Sequence, residues 1–169
     1  MKNIYQTDKN QDGFARYLSK YGGSPAYTNT GVQYYSIGER MFEDMKKELL
    51  KAEKFIFLEF FIINHTSRMW NEILEILKKK VKQGVEVRVM YDGMGCIVTL
   101  PRKYNEYLER QGIKCRIFSP IVPLLSTHQN NRDHRKITVI DGKVGFTGGY
   151  NLANEYFNYT HPYGCLLYT

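Results

Sequence analysis

A chain of 169 residues is long enough to bury one real core and too short for two comfortable ones, so it is expected to form one domain or half of a larger one. Its 24 Lys and Arg against 17 Asp and Glu give a formal charge of +7, which favours anionic partners such as nucleic acid, anionic lipid or phosphate esters without choosing among them. Three cysteines, Cys96, Cys115 and Cys165, make no CxxC pair, which argues against a disulfide framework or a zinc site and fits a reducing compartment.

The polar start, MKNIYQTDKNQDG, is no signal peptide. Its DKNQDG copies the first half of a calcium loop, but Ser19 stands where the bidentate Glu belongs, so calcium is rejected. Residues 32–36 read as a short strand, and residues 39–53 as a helix with Met41, Phe42, Met45, Leu49 and Leu50 in a stripe. Residues 55–63 are the longest apolar run; they do not alternate, so a strand buried on both faces is expected. The run contains Glu59 and is far too short to span a membrane. Residues 69–82 are helical, with Trp70, Ile73, Leu74, Leu77 and Val81 on one side and Gly84 as the stop. A strand over 85–91, a helix over 101–110 and a strand over 113–118 complete an alternation that predicts an α/β sandwich, its mixed sheet flanked by helices. The loop SPIVPLLSTHQNN interrupts the pattern with Ile121, Val122, Leu124 and Leu125. It is expected to fold onto the core, with insertion into lipid or an acyl pocket as the alternative.

Asp141-Gly142 marks a tight hairpin between residues 135–140 and 143–147. A two-residue turn would set Ile140 against Lys143, Lys136 against Thr147 and His134 beside Gly149. His134 and Lys136 then point the same way, about 7 Å apart along the strand. Gly148 and Gly149 have no side chains to block an anion, residues 152–156 read as a helix start whose free N–H groups favour phosphate, and Asn151 offers an amide. Neutral His134 is thus a candidate nucleophile toward phosphorus, with Lys136, Asn151 and backbone donors offsetting charge on the oxygens. No metal or cofactor is called for, because carboxylates do not cluster near the motif. Asp141, on the order of 20 Å from His134 at strand rise, reads as a turn-former.

The run His134-x-Lys136, Asp141 after four further residues, and Gly148-Gly149-x-Asn151 six beyond that resembles the HKD signature of the phospholipase D superfamily, which counts Asp141 among its motif residues. The segments EKFIFLEFFII, MWNEILEILKKKVKQGVEVRVMYDGMGC, LPRKYNEYLERQGIKCRIFSP and NNRDHRKITVIDGKVGFTGGYNLANEY resemble the first catalytic half of bacterial cardiolipin synthases. The resemblance implies a phospholipase D-like sandwich and a phosphatidyltransferase that joins two phosphatidylglycerols into cardiolipin and releases glycerol. It also implies a second HKD set, one histidine being phosphorylated while the other protonates the leaving alcohol. This chain carries one set, so alone it is expected to be inactive; the alternative is a one-motif homodimeric phosphodiesterase or nuclease. Glu59 and Asp92 are possible lining residues, weighed equally against structural hydrogen bonding.

On this resemblance, residues 1–23 are a lead-in after missing membrane helices and residues 24–164 the first catalytic half. Residues 165–169 are expected to be a foreign tail, since CLLYT also translates a transposon-end adapter used in DNA libraries and Tyr168 stands where the family pattern HWKDT has an orienting carboxylate. The implied partners are phosphatidylglycerol, an anionic membrane surface and either the second HKD half or a homodimer partner. The implied location is the cytoplasmic side of the cell membrane, this stretch itself being soluble.

Overall fold

The computed structural model describes residues 12–23, 30–121 and 131–156. The calcium-loop start, most of the 119–131 loop and the tail with Tyr168 lie outside them. The chain divides into two compact units, residues 1–34 and 35–169. The first contains a helix, α1 (Asp12–Gly22), whose Tyr17 and Tyr21 rings meet 4.9 Å apart, one turn from each other. The strand expected over 32–36 is absent: Val32 and Tyr34 are exposed in irregular chain. A β-prone segment becomes a strand only where a neighbour pairs with it.

The second unit runs α2 (Gly38–Lys51), β1 (Phe55–Phe60), α3 (Arg68–Lys82), β2 (Glu86–Asp92), α4 (Tyr104–Arg110), β3 (Lys114–Phe118), β4 (Lys136–Ile140) and β5 (Val144–Thr147). The sheet order is β3-β2-β1-β4-β5, with β1, β2 and β3 parallel and β4 antiparallel to both β1 and β5. This is the mixed α/β sheet that the alternation predicts. Phe42, Met45 and Leu49 of α2, Trp70, Ile73 and Leu77 of α3, and Leu108 of α4 pack with Ile56, Leu58, Val87 and Val89 in one core. Buried Trp70 satisfies its Nε1–H by donating to the Tyr104 hydroxyl at 2.7 Å. Cys96 and Cys115 are free and buried, and burial pushes their thiols up to about 11 and about 12, so neither is a nucleophile at neutral pH.

β1 corrects one expectation. Ile56, Leu58 and Phe60 are buried but Phe55, Phe57 and Glu59 only half-buried, so the strand alternates rather than hiding both faces. Helices α2, α3 and α4 pack on one face. On the other, Phe57, Glu59, Arg88, Met90, Ile137 and Val139 line a groove of about 810 Å³, with the Arg88 guanidinium 4.9 Å from the Phe57 ring. An all-apolar strand segment conceals this asymmetry because Phe57 suits a half-open face as well as a closed one.

The hairpin corrects another. The Lys143 N–H closes the expected turn onto the Ile140 carbonyl, and Asp141 and Gly142 both take positive φ, +53° and +66°. The ladder partner of Ile140, however, is Val144, and that of Ile137 is Thr147, one residue away from a two-residue hairpin. Lys143 is thereby an extra residue. Core packing selects this register: it turns Val144 and Phe146 toward the core beside Ile140 and Thr138, whereas the slipped pairing would turn them outward.

Candidate active site

Because β1, β2 and β3 are parallel, their C-terminal ends share one edge of the sheet, and antiparallel β4 begins at that edge. His134 precedes β4 by two residues and is exposed, while Lys136, paired with Phe60, is buried. Both converge on Phe61, the first residue beyond β1. Its ring centroid is 4.7 Å from that of His134 and 5.1 Å from Lys136 Nζ. Lys136 Nζ also donates to the His134 carbonyl oxygen. An ammonium has three donors, so others remain for an anion. Burial lowers the Lys136 pKa from the usual lysine value, and the nearby Asp133 carboxylate pulls the other way.

The glycine-asparagine run lies against the same edge. Asn151 is buried, and its side-chain oxygen accepts from the Ile62 N–H at 3.0 Å. The Leu152 N–H donates to the Ile62 carbonyl, and the Asn64 N–H to that of Leu152. Only the NH₂ end of Asn151 is therefore left to face an anion. Gly148 and Gly149 are exposed beside it. Within the described residues, the expected helix start over 152–156 is a 3₁₀ turn, Asn154–Tyr156. The Asn154 side chain is engaged elsewhere: its oxygen accepts from Ser67 Oγ and the Arg68 N–H at the start of α3.

Asp141 stands apart from this group, at the far end of β4. Its carboxylate accepts from the Glu53, Lys54 and Phe55 N–H groups at 2.9, 2.8 and 2.9 Å, tying the hairpin to the start of β1. Burial alone would raise its pKa, but the three donors outweigh that and hold it below the ordinary value.

Asp92, fully buried, is a clamp. Oδ1 accepts from the Met94 and Gly95 N–H groups and Oδ2 from the Asp133 N–H, so one side chain joins the loop after β2 to the residue preceding His134. Glu59 lies on the opposite sheet face from Lys136, since it pairs with Ile137 while Phe60 pairs with Lys136. There Arg135 Nε donates to Asp133 Oδ1 at 2.9 Å and lies 2.7 Å from Glu59 Oε1. Burial, with Asp133 adding to it, raises Glu59 to about 7, while Asp133 stays low. Phe61, Asp133 and Arg135 are the site neighbours that sequence reasoning misses. Strand alternation from His134 offered the signal for the last two, since it sets both on the reverse face.

The family model described as "Cardiolipin synthase, PLD-like domain" matches residues 45–168. The chain belongs to this family. A cardiolipin synthase of Oceanobacillus iheyensis is 34% identical over 149 residues, 88% of this chain and 31% of its own length. Cardiolipin synthase 2 of Staphylococcus epidermidis is 31% identical over 81% of this chain and 28% of that protein. A Streptococcus mutans protein called "Uncharacterized protein" is 59% identical over 89% of this chain and 32% of its own length. The chain thus spans about a third of the curated relatives it matches. Among solved structures, NucT from Helicobacter pylori superposes with a TM-score of 0.54 at 17% identity, covering 72% of this chain and 73% of that one. Nuc from Salmonella typhimurium, a phospholipase D family member, does so with a TM-score of 0.51 at 18% identity, over 70% and 68%. These two share the fold.

Proposed function

We propose that this chain supplies one half of a phosphatidyltransferase site that forms cardiolipin from two phosphatidylglycerols through a phosphohistidine at His134. The observation that carries the reading is the convergence of exposed His134 and buried Lys136 on Phe61 at one sheet edge, in a chain of this family. The imidazole attacks the phosphorus of one phosphatidylglycerol, forming an N–P bond as the P–O bond to its terminal glycerol breaks. That glycerol leaves with a proton from a second histidine. The second histidine then takes the proton of a primary hydroxyl on another phosphatidylglycerol, whose oxygen attacks phosphorus and frees His134. Lys136 and the Asn151 NH₂ offset charge on the phosphoryl oxygens in both steps. Nucleophile and general acid are separate groups, so the reaction needs a second HKD half, and the domain works at the cytoplasmic membrane surface where its lipid substrates lie.

The test is a graft. This chain replaces the matching region of the Oceanobacillus iheyensis cardiolipin synthase, and lipid products are compared with those of the chain alone. Cardiolipin and glycerol from the graft, none from the isolated chain, and loss with His134→Ala are the expected results. Cleavage of single-stranded DNA by a twofold dimer of the isolated chain, with no lipid product from the graft, would establish the phosphodiesterase alternative.

A further inference from the structure

We propose that residues 93–100, with Arg102 and Lys103 behind them, form a docking surface for an anionic lipid bilayer. Val98 is 89% exposed, Ile97 56% and Met94 42%, three apolar side chains at the tip of one loop. The loop is not loosely held. Asp92 accepts from Met94 and Gly95 N–H; Cys96 N–H donates to the Asp92 carbonyl, Ile97 N–H to Met94, and Thr99 and Leu100 N–H to Cys96. Thr99 Oγ1 donates to the Ile63 carbonyl at 2.7 Å, and the His65 N–H to the Thr99 carbonyl, pinning the loop to the chain beyond β1. A backbone this well satisfied keeps its apolar tip in water by construction.

The loop also adjoins the site. A Cβ on Gly95 would fall 2.3 Å from the Phe61 carbonyl oxygen, so the loop backbone presses on the residue that His134 and Lys136 share. Ile97 and Val98 therefore crown the edge of the sheet at which β4 begins. Directly after Pro101, Arg102 and Lys103 are exposed, and Lys103 is held at φ +62°. Lys103 has Glu106 at 3.1 Å, a solvent-exposed pair weak enough to give way to an anionic headgroup.

Aliphatic tip and cationic rim are the two ingredients of interfacial binding: apolar side chains enter the headgroup boundary while nearby Lys and Arg meet anionic headgroups. A protein partner is less well matched, because interface anchors are mostly Trp, Tyr and Arg, whereas Val is under-represented. The net charge of +7 points the same way. Docked so, the domain presents His134 toward headgroup phosphodiesters. The inference rests on the reading that the substrate is a bilayer lipid, but its test reads binding and needs no turnover.

The experiment is flotation of the intact chain with phosphatidylcholine vesicles, with and without phosphatidylglycerol. Wild type is expected to bind the anionic vesicles. Ile97→Ser with Val98→Ser should weaken this about tenfold at an unchanged melting temperature. Arg102→Gln with Lys103→Gln should remove about fivefold per charge, only where phosphatidylglycerol is present. Serine variants that bind like wild type, or a wild type that binds no vesicles, overturn the proposal. So does a serine pair that dissolves a dimer without changing vesicle binding, which assigns the tip to protein. Vesicle binding through this loop in a graft that makes no cardiolipin upholds the docking surface while removing the phosphatidyltransferase reading; cardiolipin synthesis indifferent to the loop does the reverse.

Discussion

Removing the Asp141 carboxylate should cost stability rather than chemistry. Three backbone N–H groups, those of Glu53, Lys54 and Phe55, end on its two oxygens at 2.8–2.9 Å. Two of these bonds are solvent-exposed, so each is taken at about 1 kcal/mol rather than at the higher value for buried charged pairs, which gives ~3 kcal/mol together. Alanine also loses the tolerance of Asp for φ +53°, adding ~1 kcal/mol. Asp141→Ala is therefore expected to destabilise the domain by ~4 kcal/mol, a fall of roughly 8–15 °C in melting temperature. Asp141→Asn keeps the left-handed turn and one acceptor oxygen, so ~1–2 kcal/mol and roughly 3–6 °C are expected. Urea unfolding of the chain and cardiolipin synthesis by the graft are the two assays. Asn at this position should retain substantial turnover below its melting temperature. Complete loss of turnover with an unchanged melting temperature would refute the structural assignment and return Asp141 to the chemistry.

Further outcomes follow from the same geometry. Glu59, raised from 4.5 to about 7, binds its proton more tightly folded than unfolded, so its contribution is present below pH 4.5 and is lost as pH rises through 7. After allowance for its partial solvent access, stability should fall by on the order of 1–2 kcal/mol between pH 5 and 8. Glu59→Gln should flatten that slope in denaturant titrations at the two pH values; parallel slopes would contradict the assignment. Lys136→Met removes a buried cation and is expected to leave the melting temperature unchanged or higher while lowering graft turnover by about a hundredfold or more. Equal losses in both would make Lys136 structural. Asp92→Asn sets an NH₂ against one of its three backbone N–H donors and removes the charge that faces Arg132 at 3.4 Å, an expected cost of ~2–3 kcal/mol in urea unfolding. It should also disorder the approach to His134, seen as a broadened imidazole resonance; a sharp, unshifted one would show that the clamp does not position the histidine.

Much of this was legible because apolar spacing reports burial directly. The stripes through Phe42, Met45 and Leu49 and through Trp70, Ile73 and Leu77 mark α2 and α3 within a few residues of their ends. The strand-helix alternation between them orders β1, β2 and β3. Asp141 was readable as a turn residue from Asp-Gly alone, though its grip on residues 53–55 depends on tertiary approach. What failed depended on which face was covered. Phe57 and Glu59 look like core because their neighbours are apolar, yet both are only half-buried and line a groove. The hairpin slip follows from Val144 and Phe146 competing for the core, a term that turn chemistry omits. Phe61, the hub of the candidate site, is one aromatic in an apolar run and is marked only by the three-dimensional approach of β4. That the Asn154 side chain caps the start of α3, through Ser67 and Arg68, is likewise a matter of tertiary approach.

The measurement that tests the central claim most directly is a trapped intermediate. The graft is mixed with phosphatidylglycerol, quenched under alkaline denaturing conditions that preserve phosphoramidates, digested and analysed by mass spectrometry. A phosphatidyl group is expected on the peptide containing His134, absent from His134→Ala and depleted in Lys136→Met. The adduct could instead accumulate only on the histidine of the second half, with His134→Ala still forming it at the wild-type rate. In that case His134 is not the nucleophile, and the role assigned to it here is wrong.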